Sequence, residues 1–278
     1  MTQFGKYKKS LLNETNAELV NARRKKTKKR FWFFTVILVI ILGLAIYLAW
    51  HPKLLIKNII VEGNRVLSSN KIENAVNEYL DGRFIYILPN RNAFVFNNSD
   101  LKNYLLTNHP IIKDVEISQN VPNDLFINVT ERQPHALWCN VVPSDCVFID
   151  KYGYAYDMAP YFSKPLFIVY ELPGAGLTKK VLDENSFTFV KNVIDNLYID
   201  NVLVQKIKPT GEGVFEFDVI LNDSILITTI TTNIEIGANE TISRVQALLK
   251  SDDVLKHSQT FLKKIDVRYG NQVVYNFY

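Results

Sequence analysis

The side chains able to do nucleophilic, acid–base or metal chemistry are few and scattered. His51, His109, His135 and His257 lie far apart, and none belongs to an HExxH pattern or another paired-ligand spacing. No GxSxG pentapeptide occurs, and neither Cys139 nor Cys146 has the context of a catalytic thiol. The glycines of Pro173-Gly174-Ala175-Gly176 fit neither GxxxxGK[ST] nor GxGxxG, so they do not mark a phosphate loop. Carboxylate pairs such as Asp252-Asp253 stand among polar residues and read as solvated faces. An enzyme, a cofactor and a metal site are therefore not expected. The Cys-x6-Cys spacing leaves a disulfide between Cys139 and Cys146 and a pair of free buried thiols both open. With His135 the nearest histidine, it is a weak zinc site.

What the chain does carry is an apolar run with a basic flank. Phe31 to Trp50, FWFFTVILVIILGLAIYLAW, holds no charged side chain, and as a helix it matches the hydrocarbon thickness of a bilayer. Trp32, Tyr47 and Trp50 fall near its ends, where amphipathic rings favour the headgroup level. The run is too long for the apolar core of a signal peptide, and Ala49-Trp50-His51-Pro52 is a poor cleavage site. RRKKTKKR at 23–30 precedes it, so the positive-inside rule predicts a cytoplasmic N-terminus and an extracytoplasmic bulk. Charge must then be read by compartment. Residues 1–30 have ten Lys or Arg and two Asp or Glu, a balance of +8. With the whole chain at +4 and the span uncharged, residues 51–278 carry −4. That sign disfavours nucleic acid as a partner of the exported part, because phosphate contacts need a positive face.

Four regions follow: a polar tail (1–30), a transmembrane helix (31–50), a first domain (53–131) and a second (132–278). Leu54 to Val61 reads as a strand ending at Gly63-Asn64. Asn70 and Glu73 start a helix whose apolar face is Ile72, Ala75, Val76, Tyr79 and Leu80, ended by Asp81-Gly82. Residues 83–98 are aromatic and irregular, broken by Pro89. Ser99 or Asp100 caps a second helix, and strands at 112–118 and 125–130 join through a turn at Val121-Pro122-Asn123-Asp124. The order is β-α-α-β-β. In the second domain the residues predict strands at 136–139, 147–150, 165–171, 202–208, 214–221, 224–229, 234–237, 264–269 and 272–277. Helices are expected along Phe187 to Leu197 and over about 240–250. Turns fall at Asn222-Asp223 and Gly270-Asn271. The fold class is α+β: an N-terminal transmembrane helix, then the β-α-α-β-β module and a mostly antiparallel β-domain with helices.

The order of elements in the first domain, with VEGN at 61–64, LSSNKI at 67–72, HPIIKDVEI at 109–117 and VPNDLFINVTERQPHALW at 121–138, resembles a POTRA domain. More narrowly it resembles that of the bacterial cell-division family FtsQ, also called DivIB. IEIGANETISRVQALL and IDVRYGNQVVYNF, at 234–249 and 265–277, are similar to the β-domain of that family. The resemblance spans about residues 23–277, although residues 83–98 are longer than the family's usual link between the two helices. It implies a single-pass scaffold at the division site in the cytoplasmic membrane. Such a scaffold links cytoplasmic ring assembly to septal wall synthesis through partners of the FtsB and FtsL type. Other readings are an anchored extracytoplasmic hydrolase and a POTRA-type translocation or assembly factor.

The closing run Gln272-Val273-Val274-Tyr275-Asn276-Phe277 is β-prone and contains neither charge nor proline, the usual protections of an exposed strand edge. It could be a central strand or an edge that a partner segment extends. The resemblance implies the second, since the family receives an FtsB segment beside its last strands. By match to that terminal motif, Arg268 and Tyr269 would flank the docked strand, with Val274 and Tyr275 nearby.

Overall fold

The computed structural model of the protein describes residue 29 and residues 31–84, 88–120, 123–140, 145–199, 202–221, 224–257, 259–270 and 272–278. The basic tail lies outside these residues apart from Lys29. The turns expected at 121–124, 222–223 and 270–271 and the loop at 140–145 lie wholly or partly outside them too.

Helix α1 (Phe31–Ala49) is apolar all round and exposes its side chains up to the last residue. It is long and apolar enough to cross a bilayer. Past Pro52 the chain makes a single 3₁₀ turn (Pro52–Leu54) and only then extends as β1 (Asn58–Glu62). The strand expected from Leu54 thus starts late, because Pro52 presets a turn φ and the His51 Nδ1 accepts from the Lys53 N–H at 3.2 Å. α2 (Ser69–Leu80) follows, its N-cap at Ser68 rather than Asn70, and Ile72, Ala75, Val76 and Leu80 are buried at the expected helical spacing.

The irregular insert contains a minimal hairpin, β2 (Arg83–Phe84) against β3 (Leu88–Pro89). α3 (Asn98–Asn108) buries Leu101 and Leu105. β4 (Ile112–Asn120) and β5 (Asp124–Glu131) complete a three-stranded sheet of order β1-β5-β4, with β1 parallel to β5. Alternation along β5 buries Leu125, Ile127 and Val129.

The second sheet has nine strands. In chain order they are β6 (Ala136–Cys139), β7 (Cys146–Ile149), β8 (Ala155–Met158), β9 (Ile168–Glu171), β10 (Val202–Gly211), β11 (Val214–Leu221), β12 (Ile227–Asn233), β13 (Leu262–Asp266) and β14 (Val274–Phe277). Across the sheet the order is β14-β13-β12-β11-β10-β9-β6-β7-β8. Five adjacent pairs are antiparallel, while β9–β10, β6–β9 and β12–β13 are parallel. The parallel pairs follow from connections that return the chain in the same direction, one of them through α4 (Glu184–Ile199) and another through α5 (Ala238–Leu249) and α6 (Asp252–His257).

One face of this sheet forms the core, closed by Phe189, Val190, Val193 and Leu197 of α4 and by Ile242, Val245 and Leu248 of α5. The middle of the other face is polar. Glu171 Oε2 meets Lys206 Nζ at 2.7 Å, Glu171 Oε1 meets Lys208 Nζ at 3.4 Å, and Thr229 donates to Asp218 at 2.8 Å.

By compactness the chain divides into Met1–Leu105 with Glu116–Asn128, and Leu106–Val115 with Val129–Tyr278. One local expectation is corrected and two elements were not foreseen. Ile234–Gly237 is a turn and not a strand: the Asn233 Oδ1 accepts from Ile236 N–H at 3.0 Å, and Gly237 takes φ 83°, which leads into α5. β8 was missed because Ala155-Tyr156-Asp157-Met158 shows no clean alternation. α6 was missed because all but one of its side chains are partly or fully exposed, Val254 alone being buried.

Candidate functional site

β14 is the last strand of the large sheet, and among the described residues no strand lies beyond it. Its inner edge pairs antiparallel with β13, setting Val274 opposite Asp266, Tyr275 opposite Ile265 and Phe277 opposite Leu262. Alternation then divides its side chains. Tyr275 and Phe277 turn to the core side, whereas Val274 and Asn276 are exposed, Val274 by 53%.

α6 supports the strand from the core side. The Tyr275 hydroxyl donates to Asp253 Oδ2 at 2.6 Å, and the His257 and Phe277 rings lie 5.1 Å apart. That hydrogen bond to the Asp253 carboxylate, helped by burial and by its charge, raises the Tyr275 pKa. A sequence signal for α6 existed: Ser251 ahead of Asp252-Asp253, with Lys256 and His257 in the last turn, is a helix charged to suit its own dipole.

The connection from β13 to β14 is built around Arg268. Its Nε and a terminal nitrogen donate to the two oxygens of Asp266 at 2.9 and 2.7 Å, and its own N–H donates to Asp266 Oδ1 at 3.1 Å. Burial opposes ionisation of Asp266, but the hydrogen bonds and charge of Arg268, with the charge of Lys264, outweigh it and hold the carboxyl below its ordinary range. The guanidinium also stands 5.7 Å from the ring centre of Tyr269, itself 54% exposed. From α5, Arg244 donates to the Val267 carbonyl at 2.6 Å and fixes the same corner.

The four residues picked out in the sequence thus come to one corner of the sheet in two roles. Tyr269 and Val274 offer exposed apolar surface. Arg268 and Tyr275 hold the corner's shape through Asp266 and Asp253. Sequence reasoning gave neither carboxylate this role: Asp253 read as part of a solvated face and Asp266 was not singled out, since each pairing is legible only once its partner is placed.

The cysteines lie toward the other end of the sheet. β6 and β7 pair so that Cys139 and Cys146 are directly opposed, with Cα atoms 4.1 Å apart and the sulfurs bonded at 2.00 Å. Such closeness belongs to the narrow pairs of an antiparallel ladder. The bond sits beside a cleft of about 340 Å³ lined by Leu137, Phe162, Leu166 and Phe167. Glu171 borders that cleft; burial opposes its ionisation, but Lys206 and Lys208 outweigh it and hold its pKa down, so it remains a carboxylate in an ion pair. Among the described residues, no three His, Cys, Asp or Glu side chains could together hold a metal ion.

Residues 54–132 match the family described as POTRA domain, FtsQ-type. No curated protein matches the chain. The match covers the element order β1-α2-α3-β4-β5 and ends at Arg132, just past β5. That domain type belongs to a family of division proteins that act as scaffolds. Over residues 54–132, then, the chain is similar to an FtsQ-type POTRA domain, and the strands and helices found there are those the match spans.

Proposed function

We propose that this protein is a bitopic scaffold of the bacterial division machinery, spanning the cytoplasmic membrane once through α1. The basic tail is cytoplasmic, and two exported domains, 53–131 and 132–278, lie outside. The POTRA domain takes part in protein–protein contacts, as such domains do in FtsQ-type proteins. The second domain receives a segment of an FtsB- or FtsL-type partner at β14, joining ring assembly to septal wall synthesis.

The observation that carries the reading is an FtsQ-type POTRA domain beginning at residue 54, directly after an apolar helix that ends at Ala49. The outer edge of β14, beside which no strand lies among the described residues, would supply the docking chemistry. A partner strand would gain the outward N–H and C=O groups of β14, while Tyr269 and Val274 supply apolar surface.

Removing residues 272–278 is expected to abolish recovery of the division partners with the tagged chain, while the POTRA domain stays folded by limited proteolysis. Undiminished recovery would refute the site. In the same cells, a reporter active only outside the cytoplasm should work after Tyr278 and fail before Arg23.

A further inference from the structure

The insert between α2 and α3 is joined to the end of α1 through one buried side chain. Asn92 is 2% exposed; its Nδ2 donates to the Ala49 carbonyl at 2.9 Å and its Oδ1 accepts from the Phe94 N–H at 2.9 Å. Ala49 lies in the last turn of α1, where helix carbonyls lack partners of their own. The neighbouring backbone adds Ala93 N–H to the Leu54 carbonyl at 3.0 Å and Ile56 N–H to the Arg91 carbonyl at 2.9 Å. Arg91 braces this from behind, donating to Asn77 Oδ1 at 2.8 Å and Asp81 Oδ1 at 2.9 Å. The insert is therefore held by one hydrogen bond to the last residue of the apolar helix and by two to the short segment that follows it, Leu54 and Ile56.

The side chains displayed at this junction have one chemistry in common. Phe94 is 72% exposed although its backbone is fixed by Asn92. Trp50, one residue past α1, is 47% exposed, and Arg83 of β2 stands 5.8 Å from its ring centre. Lys53 is exposed in the 3₁₀ turn between them. Exposed aromatic rings beside cations at the end of an apolar helix suit the headgroup layer. There the rings enter the acyl boundary while Arg and Lys reach phosphate.

We infer that Trp50, Lys53, Arg83 and Phe94 form a surface that docks the POTRA domain onto the outer headgroup layer of the bilayer, with Asn92 as the positioning residue. The inference rests on α1 spanning that bilayer. The insert then fixes how the domain stands on the membrane, close against it and in one orientation.

The test uses the full chain in vesicles of phosphatidylcholine and phosphatidylglycerol, with a nitroxide label placed in turn through Gly43→Cys, Phe94→Cys and Tyr161→Cys. Gly43 has open space around the position of a Cβ, and Tyr161 is 83% exposed in the second compact unit. The reading is the ratio of collision with oxygen, which partitions into lipid, to collision with a water-soluble nickel chelate. That ratio is expected to be highest at 43, and at 94 several-fold above its value at 161. A low ratio at 94 with a high one at 43 overturns the docking surface and leaves the span intact. A low ratio at 43 overturns the span itself. Dipolar broadening of the label at 94 together with a low ratio there shows a second copy covering this face, and also overturns the inference.

Discussion

The two edges of the nine-stranded sheet are finished in different ways. At β8 the outer side of Ala155 is taken up by the chain itself: its N–H donates to the Lys179 carbonyl at 2.8 Å, and its carbonyl accepts from Thr178 N–H at 2.8 Å. Tyr154 and Lys180 add a bridge. One strand inward, β7 is bonded to β6 through Cys139–Cys146, and Phe148, Phe162 and Phe167 pack beside it with ring centres 5.4 to 6.1 Å apart. At β14 none of these devices occurs among the described residues. Support there comes from α6 beneath the strand and from the Arg268–Asp266 pair at its corner, which shape the edge without covering it. Exposed edges invite pairing with another chain, and proteins usually blunt them. One edge protected and, among the described residues, the other without a neighbouring strand is what the proposed strand addition at β14 would require.

If the two edges are independent, breaking the protected one should cost stability and leave binding alone. Replacing Cys139 and Cys146 together by serine is expected to lower stability by about 2.5 kcal/mol, the chain-entropy value for so short a loop. Urea denaturation checks this. Partner affinity should not move, because six strand-to-strand steps separate β6 from β14. A parallel loss of affinity would show that the edges are coupled. In the native protein neither cysteine should react with a thiol label until reductant is added.

The open edge should show the opposite pattern. Tyr269→Ala is expected to weaken partner binding by about 1–3 kcal/mol with little change in melting temperature, since the ring is exposed. Calorimetry with the partner segment, beside thermal unfolding of the free protein, separates the two. Arg268→Ala would be a poorer probe. It strands the buried Asp266 carboxylate, so folding and binding would fall together.

The smallest effect expected is in pH. The folded-state pKa of Asp266 is depressed. Its contribution is therefore complete above the ordinary carboxylate value of about 3.9 and is lost as pH falls through the lowered value. Acid should loosen the β14 corner before the β8 end, whose staple does not titrate. Hydrogen exchange at Val274–Phe277 as a function of pH would detect this. Asp266→Asn should flatten the profile, and an unchanged profile would sink the role given to the pair.

Much of this architecture is written in local pattern. The apolar helix, the helical stripe from Ile72 to Leu80, the alternation at Leu125, Ile127 and Val129, and the strand positions around 136–149 and 202–221 all depend on periodicity, which neighbouring residues suffice to define. The closing strand was legible as a β-prone run, whereas the four residues around it were picked out by likeness to a family and not by periodicity.

Other features depended on partners distant in sequence. Whether Gln272 to Phe277 would be central or an edge is not a property of those residues. β13 reaches its place only when α5 and α6 carry the chain back parallel to β12, and β14 then has one neighbouring strand among the described residues. The pairing of Tyr275 with Asp253 spans 22 residues and that of Asn92 with Ala49 spans 43, so no window along the chain contains both members. Composition and period set which segments become helix or strand and which face is apolar. Which edge stays open, and which polar side chain finds a buried partner, was decided when those segments packed.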